Sequence, residues 1–194
     1  MINAMSAPII TTPRLLLRYW RDEDLESFRA LNADPRVMMY YPDVLSGEQS
    51  DALAERIQTR LREQDFGLWA VEVPAVADFI GFIGLSVPGF TSHFTPCVEI
   101  GWRLAFEHWG KGYASEGASA ALGRAFVALN LKEVVSFTVP DNRRSIGVME
   151  RIGMVRSPAD DFDRPWRTGG HQRHVLYRIQ QSDWLKRRSR SMMK

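Results

Sequence analysis

The chain of 194 residues contains little cysteine, little histidine and no long apolar run. Its one cysteine, Cys97, cannot form an internal disulfide, so the fold relies on no disulfide and fits a reducing compartment. Cys97 precedes Val98 at the start of a predicted strand, where we expect it to pack rather than to act as a nucleophile. No window approaches about 18 consecutive apolar residues, which predicts no transmembrane helix. The first residues lack the features of a secretory signal, so a cytoplasmic location is expected.

Histidine is scarce as well, with four residues in the chain. His171 and His174 come closest to a metal-ligand spacing, but no acidic or cysteine pattern surrounds them. On a strand, side chains three positions apart face opposite sides, so the two imidazoles would not converge. We expect a structural or surface role for them, and no metal site.

Basic residues are concentrated at one end. The segment from Lys186 to Lys194 holds five basic residues and no acidic one. Its positive charge therefore exceeds the net charge of +2 of the whole chain. The rest of the chain is therefore slightly acidic and shows no basic stripe with interleaved aromatic residues. This argues against nucleic acid or a membrane as a partner. We expect residues 185–194 to form a mobile basic tail.

The remaining composition, 45% apolar and 25% charged, is that of a single globular domain over residues 1–194. Two predicted helices begin at caps: Asp22 or Asp24 for the first, and a Ser46 capping box with Gln49 for the second. Strands alternate with helices later in the chain, which indicates an α/β or α+β domain. The predicted strands cover residues 15–19, 68–73, 79–85, 98–104, 133–139 and 174–179, and later helices follow residue 113 and residue 142.

The stretch from His108 to Ala118 is the most informative in the sequence. Gly110 and Gly112 lie one residue apart between an apolar strand and a helix rich in small residues. This order aims several backbone N–H groups, and the positive end of a helix dipole, at an anion. The same pattern also fits a plain connecting turn, and the residues of the loop alone leave both interpretations open.

Known nucleotide-binding loops do not match. The Walker spacing Gly-x-x-x-x-Gly-Lys-Ser/Thr is absent around Gly110, which leaves a phosphotransferase almost without support. The third glycine of a dinucleotide fingerprint is missing too, since Gly117 lies too far along the chain. The sequence therefore predicts an anion site of another kind.

Several segments, in this order, resemble one family over almost the whole chain: Thr12–Arg18, Glu99–Trp102, Trp109–Ala114, Pro140–Ser145, Ile152–Met154 and His174–Arg178. The chain resembles the GNAT superfamily of acetyl-CoA-dependent N-acetyltransferases, in particular its RimJ/RimL branch of ribosomal-protein acetyltransferases. The resemblance implies a GNAT fold, with a mixed, mostly antiparallel, seven-stranded twisted sheet and flanking helices.

The resemblance also implies acetyl-CoA as co-substrate. In the family, the loop that matches Trp109–Ala114 wraps the pyrophosphate with backbone amides. The strand before it pairs with pantetheine through free backbone groups, one of which holds the oxyanion. The cofactor-binding residues that follow are Trp102, Arg103, Leu104, Trp109, Gly110, Lys111, Gly112, Tyr113, Ala114, Asn142 and Ser145.

Three residues are candidates for catalysis. Glu99 could remove a proton from the acceptor amine through water, because an amine is largely protonated at neutral pH; its alternative role is an ion pair with Arg103 on the same strand face. Asn142 and Ser145 either cap a helix or, as the resemblance implies, hold coenzyme A and assist the departing thiolate. Many relatives place a tyrosine acid where this chain has Met149, which cannot donate a proton.

The acceptor is the least determined part. Asp160–Trp166 and Met38–Tyr41 are expected to flank the acceptor cleft, although the exposed aromatic residues could equally form a homodimer surface. The predicted reaction is direct transfer of acetyl to a primary amine, either a protein N-terminal α-amine or a small amine. The alternative is a non-catalytic acetyl-CoA sensor, which the missing tyrosine keeps open.

Overall fold

A computed structural model describes residues 10–64, 66–165 and 169–192. These residues divide into two compact units. The first comprises the chain up to Gly84 together with Trp102–Ala120, and the second comprises Leu85–Gly101 with the chain from Ala121 onward.

The first unit contains an antiparallel set of strands and the helices that cover it. The strand order is β1, β2, β3, β4, β5, and the first three pairings are antiparallel. Its strands are β1 (Ile10–Thr11), β2 (Leu16–Arg18), β3 (Leu68–Glu72), β4 (Gly81–Ser86) and β5 (Glu99–Leu104). Its helices are α1 (Asp24–Ala33), α2 (Pro35–Met38) and α3 (Gly47–Glu63), with the first part of α4 (Tyr113–Val127).

The predicted cap of α1 is wrong. Glu23 occupies the cap position without a side-chain bond, and Asp24 lies inside the helix, 2% exposed. The Asp24 carboxylate instead accepts two hydrogen bonds of 2.8 Å from the guanidinium group of Arg18. A buried arginine needs a paired acid more than a helix end needs a cap, because water can still reach the helix end.

The predicted cap of α3 is confirmed. The Ser46 hydroxyl accepts from the Gln49 N–H at 3.2 Å, and the Gln49 side chain accepts from the Ser46 N–H at 3.0 Å. The helix then buries Ala54, Ile57 and Leu61 on one face.

Gly117 of α4 lies directly against the Ile83 side chain of β4. A Cβ atom at this position would lie 2.5 Å from Cδ1 of Ile83, closer than two carbon atoms can approach. A larger residue here would therefore require the end of the Ile83 side chain to move.

The second unit combines one parallel pairing with antiparallel ones. β5 pairs in parallel with β6 (Glu133–Thr138) at Glu99 and Val135, and β6 pairs antiparallel with β9 (His171–Gln180) over six residue pairs. The remaining elements are β7 (Val155–Arg156) and β8 (Phe162–Pro165), both antiparallel to β9, with α5 (Arg143–Arg151) and α6 (Gln181–Met192). The predicted mixed, mostly antiparallel sheet is confirmed.

Aromatic rings fill the core of this unit. Phe162 packs against Phe94 with ring centroids 4.7 Å apart and against Phe137 at 5.4 Å. His174 stacks on Phe162 at 5.4 Å, and burial lowers the pKa of its imidazole. His174 is therefore a core residue.

Two details differ from the sequence predictions. The described residues form nine strands rather than seven, because β1 and β7 are two residues long, too short to leave a periodic pattern. The basic segment expected as a tail is helical to Met192, and α6 is tied down where Trp184 packs on Phe126 at 5.6 Å. No helix among the described residues is long and apolar enough to cross a membrane.

Candidate functional site

The loop between β5 and α4 lies in the first unit and has the backbone that its glycines predict. Gly110 and Gly112 adopt φ angles of +75° and +83°, which other residues adopt only with strain. A short 3-10 turn, Phe106–His108, leads from the strand into this loop. The chain can then reverse direction and enter α4 at Tyr113.

The amides of this loop are available to a ligand. No residue of the described ranges accepts a hydrogen bond from the backbone N–H groups of Gly110 through Ser115, and the first helical bond is donated by Glu116 to the Gly112 carbonyl at 3.1 Å. These donors stand at the positive end of a helix of 15 residues. Free donors at a helix start are what an anion site requires, and the predicted anion-binding role of this loop stays a prediction.

Hydrogen bonds from the turn between β1 and β2 hold the loop. The Arg14 side chain donates through Nη1 to the Lys111 carbonyl at 2.9 Å and through Nε to Glu116 at 2.7 Å. Thr12 donates to the same carboxylate at 2.7 Å. Burial alone would raise the pKa of Glu116, but the hydrogen bonds from Thr12 and Arg14 outweigh it and lower the pKa. Glu116 is therefore ionised and paired at neutral pH.

The residues at the end of β5 are partly engaged within the first unit. The Trp109 indole donates to the Leu104 carbonyl at 2.7 Å, so this carbonyl is already in use. The Arg103 guanidinium donates through Nη1 to Oδ1 of Asn32 at 2.6 Å and lies 4.2 Å from the Tyr41 ring. Trp102 is partly buried. The strand thus keeps Trp102 and Arg103 at the surface of the sheet.

Glu99, in the second unit, has a perturbed carboxyl group. Burial raises its pKa to about 7, although the nearby charge of Arg164 and a hydrogen bond with Ser86 act in the opposite direction. The alternative role expected for Glu99, an ion pair with Arg103, is wrong. Its surroundings are Ser86 and Arg164, whereas Arg103 bonds to Asn32.

Asn142 and Ser145 meet at the start of α5. Asn142 Oδ1 accepts from the Ser145 N–H at 3.2 Å, and its Nδ2 donates to the Thr138 hydroxyl at 3.0 Å. Asn142 is therefore a helix cap fixed from both sides, and it sets the position of Ser145. Met149, one turn further on, is 1% exposed and belongs to the core.

The residues expected near the acceptor are only partly available. Asp161 pairs with Arg156, and Asp160 accepts from Arg178 at 2.9 Å, so both acids already have basic partners. Trp166 lies outside the described residues. In the early loop Met38 is buried, whereas Met39 is 57% and Tyr41 42% exposed.

Sequence reasoning missed the residues that support the site from a distance. Arg14 and Glu116 are 102 positions apart, and Ser86 and Arg164 lie in loops or strands remote from Glu99 in the sequence. Such contacts leave no periodic or motif signal in a single sequence. The Thr12–Arg18 segment, which carried part of the resemblance, was the only hint of them.

A strand, a glycine loop with free amides and a helix, set in a mixed sheet, form an α/β architecture that suits a phosphate-bearing substrate. The model of the "Acetyltransferase (GNAT) domain" family matches residues 14–155. The chain therefore belongs to the GNAT acetyltransferase family, and it is an acetyl-CoA-dependent N-acetyltransferase with the GNAT fold.

Individual relatives agree with this assignment. The protein YkkB of Bacillus subtilis is 34% identical over 146 residues, 75% of this chain and 84% of YkkB. The FsC-acetyl coenzyme A-N(2)-transacetylase of Aspergillus fumigatus is 30% identical over 196 residues, 95% of this chain and 81% of that protein. The crystal structure of a GNAT acetyltransferase from Bacillus anthracis, 27% identical, matches 90% of this chain and 99% of its own with a TM-score of 0.75.

Proposed function

We propose that this enzyme transfers acetyl from acetyl-CoA to a primary amine, either a protein N-terminal α-amine or a small amine, by direct attack of the amine. The observation that carries the proposal is the row of unpartnered amides from Gly110 to Ser115 at the start of α4. They fit a substrate that bears a pyrophosphate, which needs several donors and no side-chain bulk. The relative from Aspergillus fumigatus, named as an acetyl coenzyme A transacetylase, supports the same donor.

The donor is held by backbone rather than by side chains. In this proposal the Trp109–Ala114 loop binds the pyrophosphate, and the backbone of Trp102 and Arg103 binds the pantetheine arm. The Leu104 N–H can join them, whereas its carbonyl is taken by Trp109. Acetyl-CoA supplies an acetyl group already activated as a thioester. The protein therefore has to position the amine and manage its proton.

Glu99 is the proposed general base. A carboxyl group whose pKa is about 7 is half ionised at neutral pH and can accept a proton from an ammonium group through water. An exposed glutamate, with its pKa near the ordinary 4.5, would be a much weaker base. Burial of Glu99 therefore favours the deprotonation of the acceptor that the reaction requires.

In this proposal Ser145 stabilises the departing thiolate of coenzyme A. No described residue forms a hydrogen bond with its hydroxyl, and Asn142 fixes the helix turn that carries it. The two residues then have different roles: Ser145 donates a hydrogen bond to the thiolate, and Asn142 positions Ser145. Met149 has no part in this step, because it is buried and has no acidic proton.

Cys97 is not expected to carry the acetyl group. Burial raises the pKa of its thiol to about 11, so almost no thiolate is present at neutral pH. Direct attack by the amine needs no acetylated enzyme, and the electron pair of the amine nitrogen displaces the thiolate of coenzyme A. Rapid quench with radiolabelled acetyl-CoA in the absence of amine tests this step, and an acetylated protein would contradict it.

The activity is tested with the purified protein in two parallel assays. Calorimetry measures the affinity for acetyl-CoA, and a thiol-release assay measures turnover with a panel of primary amines and short peptides. We expect micromolar binding and release of coenzyme A only when an amine is present. Tight binding without turnover on any amine would favour a sensor of acetyl-CoA instead of an enzyme. Absence of binding would contradict the role given to the loop.

A further inference from the structure

Arg103 has no acidic partner among the described residues. Other arginines of the first unit do have one, among them Arg14, Arg18, Arg29 and Arg36. Its only hydrogen bond there runs from Nη1 to Oδ1 of Asn32 at 2.6 Å. Its Nε is buried and has no hydrogen-bond acceptor in that part of the chain. A partly buried guanidinium group normally has a carboxylate opposite it, because unpaired charge is costly away from water.

The edge formed by Nε and Nη2 is the one that binds a carboxylate side-on. Arg29 shows this geometry in the same unit: its Nε and Nη2 each donate to one oxygen of Asp51 at 2.7 Å. Arg36 uses the same edge toward Asp34, with Nη2 at 2.6 Å from Oδ2. In Arg103 that edge faces no acid of the described chain.

The surroundings of Arg103 hold the guanidinium group in place. The Tyr41 ring lies 4.2 Å and the Phe82 ring 5.4 Å from its central carbon. Asn32 is fully buried and donates through Nδ2 to the hydroxyl of Ser50 at 2.9 Å, which turns its Oδ1 toward Arg103. The charge is therefore fixed in orientation by neutral neighbours.

We propose that Arg103 determines substrate specificity by binding a carboxylate group of the acceptor. The inference rests on the proposed function, in which the phosphates of the donor bind at the Trp109–Ala114 loop and the acetyl end lies toward β5. The positive charge on β5 then remains for the acceptor. The Tyr41 ring, 4.2 Å from the central carbon of the guanidinium group and partly exposed, offers apolar contact to the rest of such a molecule. The acceptor class is an amine that also carries a carboxylate, such as an amino acid or a peptide with an acidic residue near its N-terminus.

The experiment uses pairs of acceptors that differ only in the carboxylate. Phenylalanine is compared with 2-phenylethylamine, 4-aminobutyrate with 4-aminobutyramide, and a peptide amide beginning with glutamate with one beginning with glutamine. For at least one pair we expect kcat/KM of the carboxylate member to exceed that of its partner by about tenfold or more, as a charged hydrogen bond provides. Whether a pair of free amines or the pair of peptides responds shows which of the two classes the enzyme accepts.

Two variants test the residue. Arg103→Met removes the guanidinium group, and Asn32→Asp keeps it but supplies a carboxylate from the protein; both should bring the kcat/KM ratio of the responding pair close to one. Arg36→Met is the matched control, since Arg36 also lies over an aromatic ring, 4.1 Å from Phe106, but has its own acid. It should leave the ratio unchanged.

The proposal is wrong if the wild-type enzyme favours the neutral member of every pair, or if Arg103→Met leaves the ratio as it was. If no amine is turned over, the proposed function fails separately. Calorimetric titration with the same amino acids and peptides then decides the matter for Arg103. Binding that is lost in Arg103→Met supports a carboxylate site, and absence of binding overturns it.

Discussion

Arg14 and Glu116 form an ion pair at the start of α4, with Arg14 Nη2 2.6 Å from Glu116 Oε2. The backbone N–H of Arg14 also donates to this carboxylate at 2.9 Å. Glu116 lies in the first turn of a helix whose amides we assign to a pyrophosphate, so its negative charge would oppose that substrate. Arg14 cancels this charge and at the same time holds the Lys111 carbonyl.

Loss of Arg14 should therefore weaken donor binding. We expect Arg14→Gln to raise KM for acetyl-CoA about threefold to tenfold, as loss of a partly exposed ion pair next to an anion implies, with a smaller change in kcat. The double variant Arg14→Gln with Glu116→Gln should recover part of the loss. Acetyl-pantetheine, which lacks the pyrophosphate, is the control donor. An equal loss with both donors would show that Arg14 merely supports the fold.

The glycine loop should be sensitive to a single methyl group. In Gly112→Ala the φ of +83° costs roughly 1–2 kcal/mol, and the added Cβ would lie 3.3 Å from Arg14 Nη2. We expect calorimetry to show about tenfold weaker binding of acetyl-CoA. Gly170→Ala is the control, because Gly170 has a φ of +79° and open space around it. Equal effects of the two substitutions on affinity would refute a specific role of the loop.

The pH dependence of turnover should reflect Glu99. Its pKa of about 7 means that the base form is lost as the pH falls below neutrality, so kcat/KM should decline on the acid side with an apparent pKa near 7. Glu99→Gln should lower kcat and remove this acid limb, while affinity for acetyl-CoA stays the same in calorimetry. Persistence of the limb in the variant would assign it to another group.

The same carboxyl group should make the stability of the protein depend on pH. Its pKa is raised in the folded state, so the folded protein binds more protons than the unfolded chain between about pH 4.5 and pH 7. Stability from this group is present below pH 4.5 and declines as the pH rises to 7. Glu99→Gln should therefore increase Tm little at pH 4.5 and more at pH 8. A constant difference in Tm would contradict the raised pKa.

The buried ion pair of Arg18 and Asp24 should matter far more for folding than exposed pairs. Their side chains are 4% and 2% exposed, and Arg18 also pairs with Glu72. Asp24→Asn leaves part of a buried charge without its partner and should lower the free energy of unfolding by about 3–5 kcal/mol in urea titrations. Asp51→Asn, in the exposed pair with Arg29, should cost less than about 1 kcal/mol. Similar costs would contradict the role of burial.

The sequence predicted those parts of the fold that local chemistry controls. The capping box of Ser46 and Gln49, the strand from Glu99 to Leu104 and the glycine loop were all predicted, because each depends on residues within a few positions of one another. It failed at Asp24, where a distant requirement, the charge of Arg18, outweighed the local preference for a cap.

The candidate site divides in the same way. Gly110 and Gly112 could be assigned from the sequence, because their spacing before a helix already indicates free amides at a positive dipole end. The environment of Glu99 could not, since Ser86 and Arg164 reach it only through folding and the expected partner, Arg103, bonds to Asn32.

The amino-acid sequence by itself determined the α/β fold, through periodicity, and the glycine loop before a helix, through turn chemistry. Its resemblance to the GNAT superfamily implied the acetyl-CoA-dependent class of the enzyme. The tertiary structure decided which charges are paired. Ion pairs such as Arg14 with Glu116 join positions about a hundred residues apart, and only packing fixes their distances and their exposure to water. It also decided that Arg103 has no acidic partner within the described chain, and the proposed acceptor carboxylate rests on that arrangement.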